Sequence, residues 1–343
     1  MASKMDDSRH SCGLWSGPLA VVVASVAMVL ASDARAEGGE WVVRAETLYM
    51  EAHGHDQHVM TIHETDAAMG TDTKSAVLTD VDSGNAFRVG AEYVTESWRW
   101  GLEAWGFYTK QSVDDRDAAA SGPGQTLVFE VPDRVSTSSS PGETLYYRFL
   151  EDNDLETWTV DVYGIRRVVE TDTASLGIQF GVRLGDFDND YHAAIGVAGS
   201  GGVQIDASSN YDRMTGPLVG FAGSARLGRS SIRAAVRQSV LLGSVALSSS
   251  TRDYVGEFSL SPAFVSHESF RTTEDVAIPV SDLQLEWTWP LGRHFTFGAA
   301  VSGSVWWDLP IPPGTGPGEG ANELLNENTI VYVGVAATIR YTF

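Results

Sequence analysis

The chain has 343 residues, enough for one large β domain or two ordinary ones. A hydrophobic fraction of 43% with a mean hydropathy of -0.09 excludes a bundle of membrane helices. It suits a soluble protein or a membrane β-barrel, whose apolar residues are diluted by alternation. The net charge of -22 excludes nucleic acid as the main partner, because no basic stripe exists to neutralise phosphates; Lys4, Lys74 and Lys110 are the only lysines.

Residues 1–36 form a separate unit. Leu19 to Leu30, "LAVVVASVAMVL", is an apolar run of 12 residues, shorter than the roughly 20 a spanning helix needs. Ala34-Arg35-Ala36 then fits the small-x-small rule for signal cleavage, so a mature chain from Glu37 is expected, with one barrel domain over 37–343. Asp6 and Asp7 offset Lys4 and Arg9, which leaves an uncleaved anchor as the competing reading. Cys12, the single cysteine, precedes the apolar run, so the mature chain would hold no disulfide.

Beyond that unit, apolar residues recur with a period of two, the mark of extended strands with one apolar face. In "ASLGIQFGVRLGDF", Leu176, Ile178, Phe180, Val182 and Leu184 oppose Gly177, Gln179, Gly181, Arg183 and Gly185. Ten strands are expected near 41–51, 85–95, 99–111, 155–168, 174–187, 214–227, 230–242, 278–289, 295–307 and 329–343. The connections alternate strictly in length. Long ones lie near 52–84, 112–154, 188–213, 243–277 and 308–328, and short ones near 96–98, 169–173, 228–229 and 290–294. A single closed antiparallel transmembrane β-barrel, with tight turns at one rim and long loops at the other, produces that parity. "RDYVGEFSLSPAFV" could add a hairpin and make twelve strands.

The runs are as long as the roughly 9–11 residues a tilted strand needs to cross hydrocarbon, and barrel closure would pair every backbone group. Trp41, Trp98, Trp100, Trp287, Trp289, Tyr341 and Phe343 cluster at the expected periplasmic ends, with Tyr49, Tyr108, Trp306 and Trp307 near the opposite ends. The last strand, with Ile339, Tyr341 and Phe343 on its apolar face, resembles the C-terminal signal that hands outer-membrane barrels to their insertion machinery.

The runs "WVVRAETLYM", "AFRVGAEY" and "FGVRLGDFD" carry a further likeness. On Trp41, Leu48-Tyr49, Phe87-Arg88-Val89-Gly90 and Gly181-Val182-Arg183, the chain resembles the pore-forming outer-membrane protein family typified by the Legionella major outer-membrane protein. The resemblance implies a porin-like barrel and transfers no catalytic residue.

The opposite strand face defines the expected pore lining: Arg44, Glu46, Arg88, Glu92, Arg99, Glu103, Arg183, Arg233, Arg237, Asp282, Glu286 and Arg340. Charge on that face requires a polar interior. Either the charges pair and close the barrel, or an arginine excess lines a narrow, anion-favouring water path for small solutes. The long connections carry the acidity. Asp186, Asp188 and Asp190 mimic the start of a calcium loop, but Tyr191 stands where such a loop needs Gly. His53, His55, His58 and His63 crowd into 11 residues without the spacing of a strong metal site.

For catalysis only "SHESF", with His267 and Ser269, offers a candidate, and it lacks a base-orienting third group. The expectation is therefore a porin-like outer-membrane barrel of a bacterial envelope, not an enzyme, with no cofactor. Its partners would be outer-membrane lipid and lipopolysaccharide, the insertion machinery and small solutes or ions. A closed structural or surface-binding barrel is the alternative, and a barrel hydrolase a distant third.

Overall fold

A computed structural model of the chain describes residues 39–53, 57–66, 71–79, 83–120, 125–131, 135–138, 144–197, 201–255, 263–311 and 326–343. The expected signal segment, with its Ala34–Ala36 cleavage site, lies outside them, as does His55. The described residues form fourteen strands. In chain order they are β1 (Glu40–His53), β2 (Gln57–Asp66), β3 (Thr71–Thr79), β4 (Gly84–Val94), β5 (Trp98–Ala120), β6 (Gln125–Val131) and β7 (Val135–Ser138). There follow β8 (Thr144–Glu170), β9 (Ala174–Val197), β10 (Gly201–Leu227), β11 (Ser230–Val255), β12 (Ala263–Pro290), β13 (Phe295–Ile311) and β14 (Asn326–Thr342).

Ten of these close into a barrel in the order β1-β14-β13-β12-β11-β10-β9-β8-β5-β4, and every neighbouring pair is antiparallel. They coincide one for one with the ten expected strands. β1 and β14 seal the ring from Val42↔Thr342 to His53↔Val331. The twelve-strand variant is corrected: "RDYV" and "AFV" continue β11 and β12, with Tyr254↔Phe264 in register, and insert no new barrel strand.

The long loops are corrected in the same way. β8 and β10 have 27 residues each, β11 has 26 and β12 has 28, against roughly 9–11 needed to cross hydrocarbon. The expected connection near 188–213 is therefore mostly two paired strands, joined across 198–200. Alternation simply persists beyond the apolar run, carried by polar residues, so a search for apolar periodicity stops too early. β2, β3, β6 and β7, from the connections after β1 and β5, make a second sheet in the order β3-β2-β6-β7 that the sequence reading lacked.

Two bulges decide which side chains enter the barrel. The β10 register shifts between Asp212 and Thr215, with Arg213 at φ 52°, and the β13 register between Trp306 and Leu309, with Asp308 at φ 54°. Each bulge inserts one extra residue and so resets the alternation. Tyr211 and Met214 consequently both point inward, as do Trp306 and Leu309. Trp306 is thus a core residue and not part of the outer aromatic band expected for it; Trp307 remains outside.

Candidate functional site in the barrel interior

The two faces of the wall differ sharply. On β14, Val335 is 60% exposed while inward Tyr332 and Thr338 are 0% exposed. Outward residues form a continuous apolar belt: Leu176, Ile178, Phe180, Val182 and Leu184 on β9, Val219 and Phe221 on β10, Leu283, Leu285 and Trp287 on β12, and Val333, Val335 and Ile339 on β14. Trp98 and Trp100 stack at 5.2 Å and Trp287 and Trp289 at 4.9 Å, near the short-turn rim. Ile339 is exposed on this belt, and Phe343 lies at the seam, its N–H donating to the Trp41 carbonyl at 3.0 Å. The Tyr341 ring packs between Phe295 and Phe343, at 4.8 and 4.6 Å.

Inside, three layers follow one another from the short-turn rim upward. The first is a cavity lined by Arg44, Glu92, Arg99, Arg233, Arg237, Glu286 and Arg340 among others. The second is a lattice of paired charges. Glu46 accepts from Arg88 at 3.0 Å and from Gln284 at 3.1 Å, with Arg44 at 3.4 Å. Glu103 receives Arg44 from β1 and Arg237 from β11. The Arg183 fork meets both Asp161 oxygens at 2.7 Å and Asp282 at 2.6 Å, and Ser304 donates to Asp282 at 2.7 Å. Arg340 grips Glu286, its Nε at 2.7 Å, while Glu92 takes Tyr163 Oη at 3.0 Å and lies 3.6 Å from Arg99.

All twelve residues expected to line a pore thus face the interior. Eleven of them have an oppositely charged partner among those named here; the exception is Arg233. Bidentate arginine–carboxylate pairs with further hydrogen bonds are what makes such burial tolerable.

The third layer is apolar and absent from the sequence reading. Leu48, Met50, Trp105, Phe107, Leu155, Phe187, Tyr211, Met214, Leu241, Val245, Ile278, Trp306 and Tyr332 are all buried in one cluster inside the barrel. Phe187 meets Tyr211 edge-on at 5.2 Å, and Tyr332 contacts Phe107 at 5.0 Å and Trp105 at 5.6 Å. The Tyr211 hydroxyl donates to the Pro310 carbonyl, tying the two bulged strands together. A signal for this layer was present in the inward residues. They change from charged to large apolar at one height: Glu46 to Leu48, Glu103 to Trp105, and Asp282 to Val280.

Above the belt, the outward face of β8–β10 is acidic. Glu156 stands directly opposite Asp188, and Asp154 opposite Asp190, like charges in adjacent strands. Burial, with the Asp188 charge beside it, pushes the Asp186 carboxyl up to about 7. Burial and Glu156 push Asp188 up to about 6. His192 bonds Asp206 at 2.6 Å, which raises the imidazole above its ordinary value. Asp186, Asp188 and Asp190 lie along one extended strand and so do not wrap an ion as a calcium loop would.

Of the histidine tract, His53 ends β1 with its Nε2 3.5 Å from Glu51, and His58 and His63 fall in β2. Among the described residues no group of three or more His, Cys, Asp or Glu is disposed to hold a metal. His267 and Ser269 are both exposed on the outer face of β12, and the His267 Nε2 lies 3.4 Å from Ser250 Oγ.

No protein-family model and no curated protein matches the chain, so the resemblance drawn from short motifs stays an expectation. Among solved structures, the chain is similar to the outer membrane protease OmpT of Escherichia coli, with 12% identity, 88% of this chain and 97% of that chain covered, and a TM-score of 0.46. It is also similar to Ail, the attachment invasion locus protein of Yersinia pestis, at 10% identity, 89% and 99% coverage and a TM-score of 0.24. A Pseudomonas aeruginosa FadL homologue gives 6% identity, 90% coverage of each chain and a TM-score of 0.22. At such identities and scores no activity of theirs transfers to this chain.

Proposed function

We propose that the chain is a non-conducting barrel of the bacterial outer membrane that displays a tall, acidic β wall at the cell surface. Acyl chains are the medium that suits its outward belt, because closure already satisfies the backbone and the belt meets no second protein layer among the described residues. Placing the tight turns in the periplasm puts the long strand extensions and the second sheet outside the cell. There they form a binding platform whose negative surface favours cationic partners or divalent-bridged lipopolysaccharide. The role is structural or adhesive and involves no catalysis; the exposed His267 and Ser250 lack an orienting acid among the described residues.

The observation that carries this reading is the filled bore. Charged side chains pair across it, and a layer of buried apolar side chains lies above them. A polar interior alone would have suited the narrow solute pore. That second reading keeps one support, the arginine-rich cavity at the short-turn rim. Purified full chain in planar bilayers decides between them: baseline current is expected, and reproducible single-channel steps would overturn the closed reading.

A further inference from the structure

The cavity at the short-turn rim is not explained by a barrel that is merely plugged. Its cavity volume is about 60 Å³, and its wall carries six arginines, Arg44, Arg99, Arg167, Arg233, Arg237 and Arg340, against Glu92 and Glu286. Five of the six are engaged elsewhere. Arg44 and Arg237 hold Glu103, Arg167 holds Glu170 and the Glu96 carbonyl, Arg340 holds Glu286, and Arg99 lies beside Glu92.

Arg233 alone has no acceptor among the described residues. Its register partner across β11–β12 is Glu286, but both Glu286 oxygens are taken by the Arg340 fork. Close by, Gln179 lines the same cavity at 1% exposure, and neither its Nε2 nor its Oε1 meets a partner. The Arg99 Nε is likewise buried and unbonded. An unmade hydrogen bond on a buried amide is costly, and an unpaired guanidinium more so. Here two such buried groups, the Gln179 amide and the Arg99 Nε, and the half-buried Arg233 fork border one space that opens toward the rim, where Ser175 and Ser224 stand.

We infer that this chamber binds a phosphate group entering from the periplasmic side, with the Arg233 fork, the Arg99 Nε–H and the Gln179 amide as its donors. A tetrahedral anion offers several acceptor oxygens in different directions, which a planar carboxylate or a bare halide does not, and bidentate arginine geometry suits it. The charge lattice and apolar layer above make the chamber blind, so the anion is held and not passed.

The test uses the full chain folded in detergent micelles. Inorganic phosphate is titrated by calorimetry at constant ionic strength against sodium chloride, and glycerol phosphate is titrated in a second arm. Saturable one-to-one binding is expected, and the arm with the higher affinity tells free phosphate from a phosphomonoester. Arg233→Gln should weaken it by at least about tenfold, as loss of a charge-assisted pair of hydrogen bonds would. Gln179→Leu should weaken phosphate binding while raising the unfolding midpoint of the ligand-free barrel, a split that a purely structural glutamine would not give; it also serves if Arg233→Gln does not fold. Asp188→Asn, on the outer wall, should bind as the parent does. Absence of saturable heat, equal competition by chloride, or unchanged affinity in both cavity variants would each overturn the assignment.

Discussion

Thr157 on β8 and Tyr332 on β14 place their hydroxyl oxygens 2.7 Å apart, although their strands lie on opposite sides of the ring. A single hydrogen bond therefore spans the bore, inside a layer of buried rings. Trp306→Ala, which empties the middle of that layer, should destabilise the barrel by about 3–5 kcal/mol through lost transfer energy and a residual cavity. Tyr332→Phe should cost only about 1 kcal/mol, one hydrogen bond. Urea titration followed by the gel-mobility shift between folded and heat-unfolded barrel measures both.

The lattice below makes a different prediction. Glu103 receives arginines from two strands, so Glu103→Leu leaves Arg44 and Arg237 short of an anion in a buried layer. A loss of roughly 3–5 kcal/mol is expected. Adding Arg237→Met removes one of the stranded cations, so the double variant should be more stable than the sum of the two single changes requires. A double-mutant cycle in urea reads the coupling directly.

The acidic wall should strengthen as pH falls. Folded Asp186 and Asp188 hold their protons up to about 7 and about 6. Folded chains therefore bind more protons than unfolded ones between roughly pH 4 and 7, and stability declines as pH rises through that window. His192 acts in the same sense. Its raised pKa contributes below the ordinary imidazole range and is lost as pH rises through the folded value. Asp206, where burial is outweighed by the His192 bond together with the charges of His192 and Arg252 and the Gln204 bond, has a lowered pKa and loses its contribution only in more acid solution. Protease nicking of the wall should slow from pH 8 to pH 5.5. Asp186→Asn with Asp188→Asn should flatten that dependence and protect the wall at pH 8.

The outward belt should reject charge according to depth. Val335→Arg, in mid-belt, should cost about 2–4 kcal/mol in a lipid bilayer, the range for a cation at the midplane of a barrel wall. Ser208→Arg, outward on β10 but above the belt, should be near neutral. Refolding into vesicles with a urea titration compares them, and equal penalties would mean that the belt does not face acyl chains.

How far the sequence revealed this molecule follows from which signals are local. Alternation of the kind seen over Leu176–Leu184 and Val333–Ile339 located all ten barrel strands, because a strand wall with one apolar face requires a period of two. The heights of those strands escaped, since Asp186, Asp188 and Asp190 keep the same alternation in polar residues that read as loop. Register carried the twelve interior charges correctly to one side, but not their pairing: Glu103 and Arg237 are 134 positions apart in the chain. The bulges at Arg213 and Asp308 were invisible for a further reason. In "YDRM" and "WWDL" no glycine stands at the left-handed position, which Arg213 and Asp308 occupy instead, so nothing local announces that Tyr211 and Met214, or Trp306 and Leu309, share a side. The vertical change from Glu46 to Leu48 and from Glu103 to Trp105 was legible and points to the filled upper bore.

The bond pattern between β1 and β14 has a consequence for synthesis. His53 waits for Val331, so one margin of the sheet keeps bare amides and carbonyls until the last strand has been made. Contacts of such long sequence separation form slowly, and no half-built intermediate can enter lipid without leaving unpaired backbone there. A product truncated before β14 should accordingly never acquire heat-resistant compactness, and would be left to proteases while the finished polypeptide escapes them.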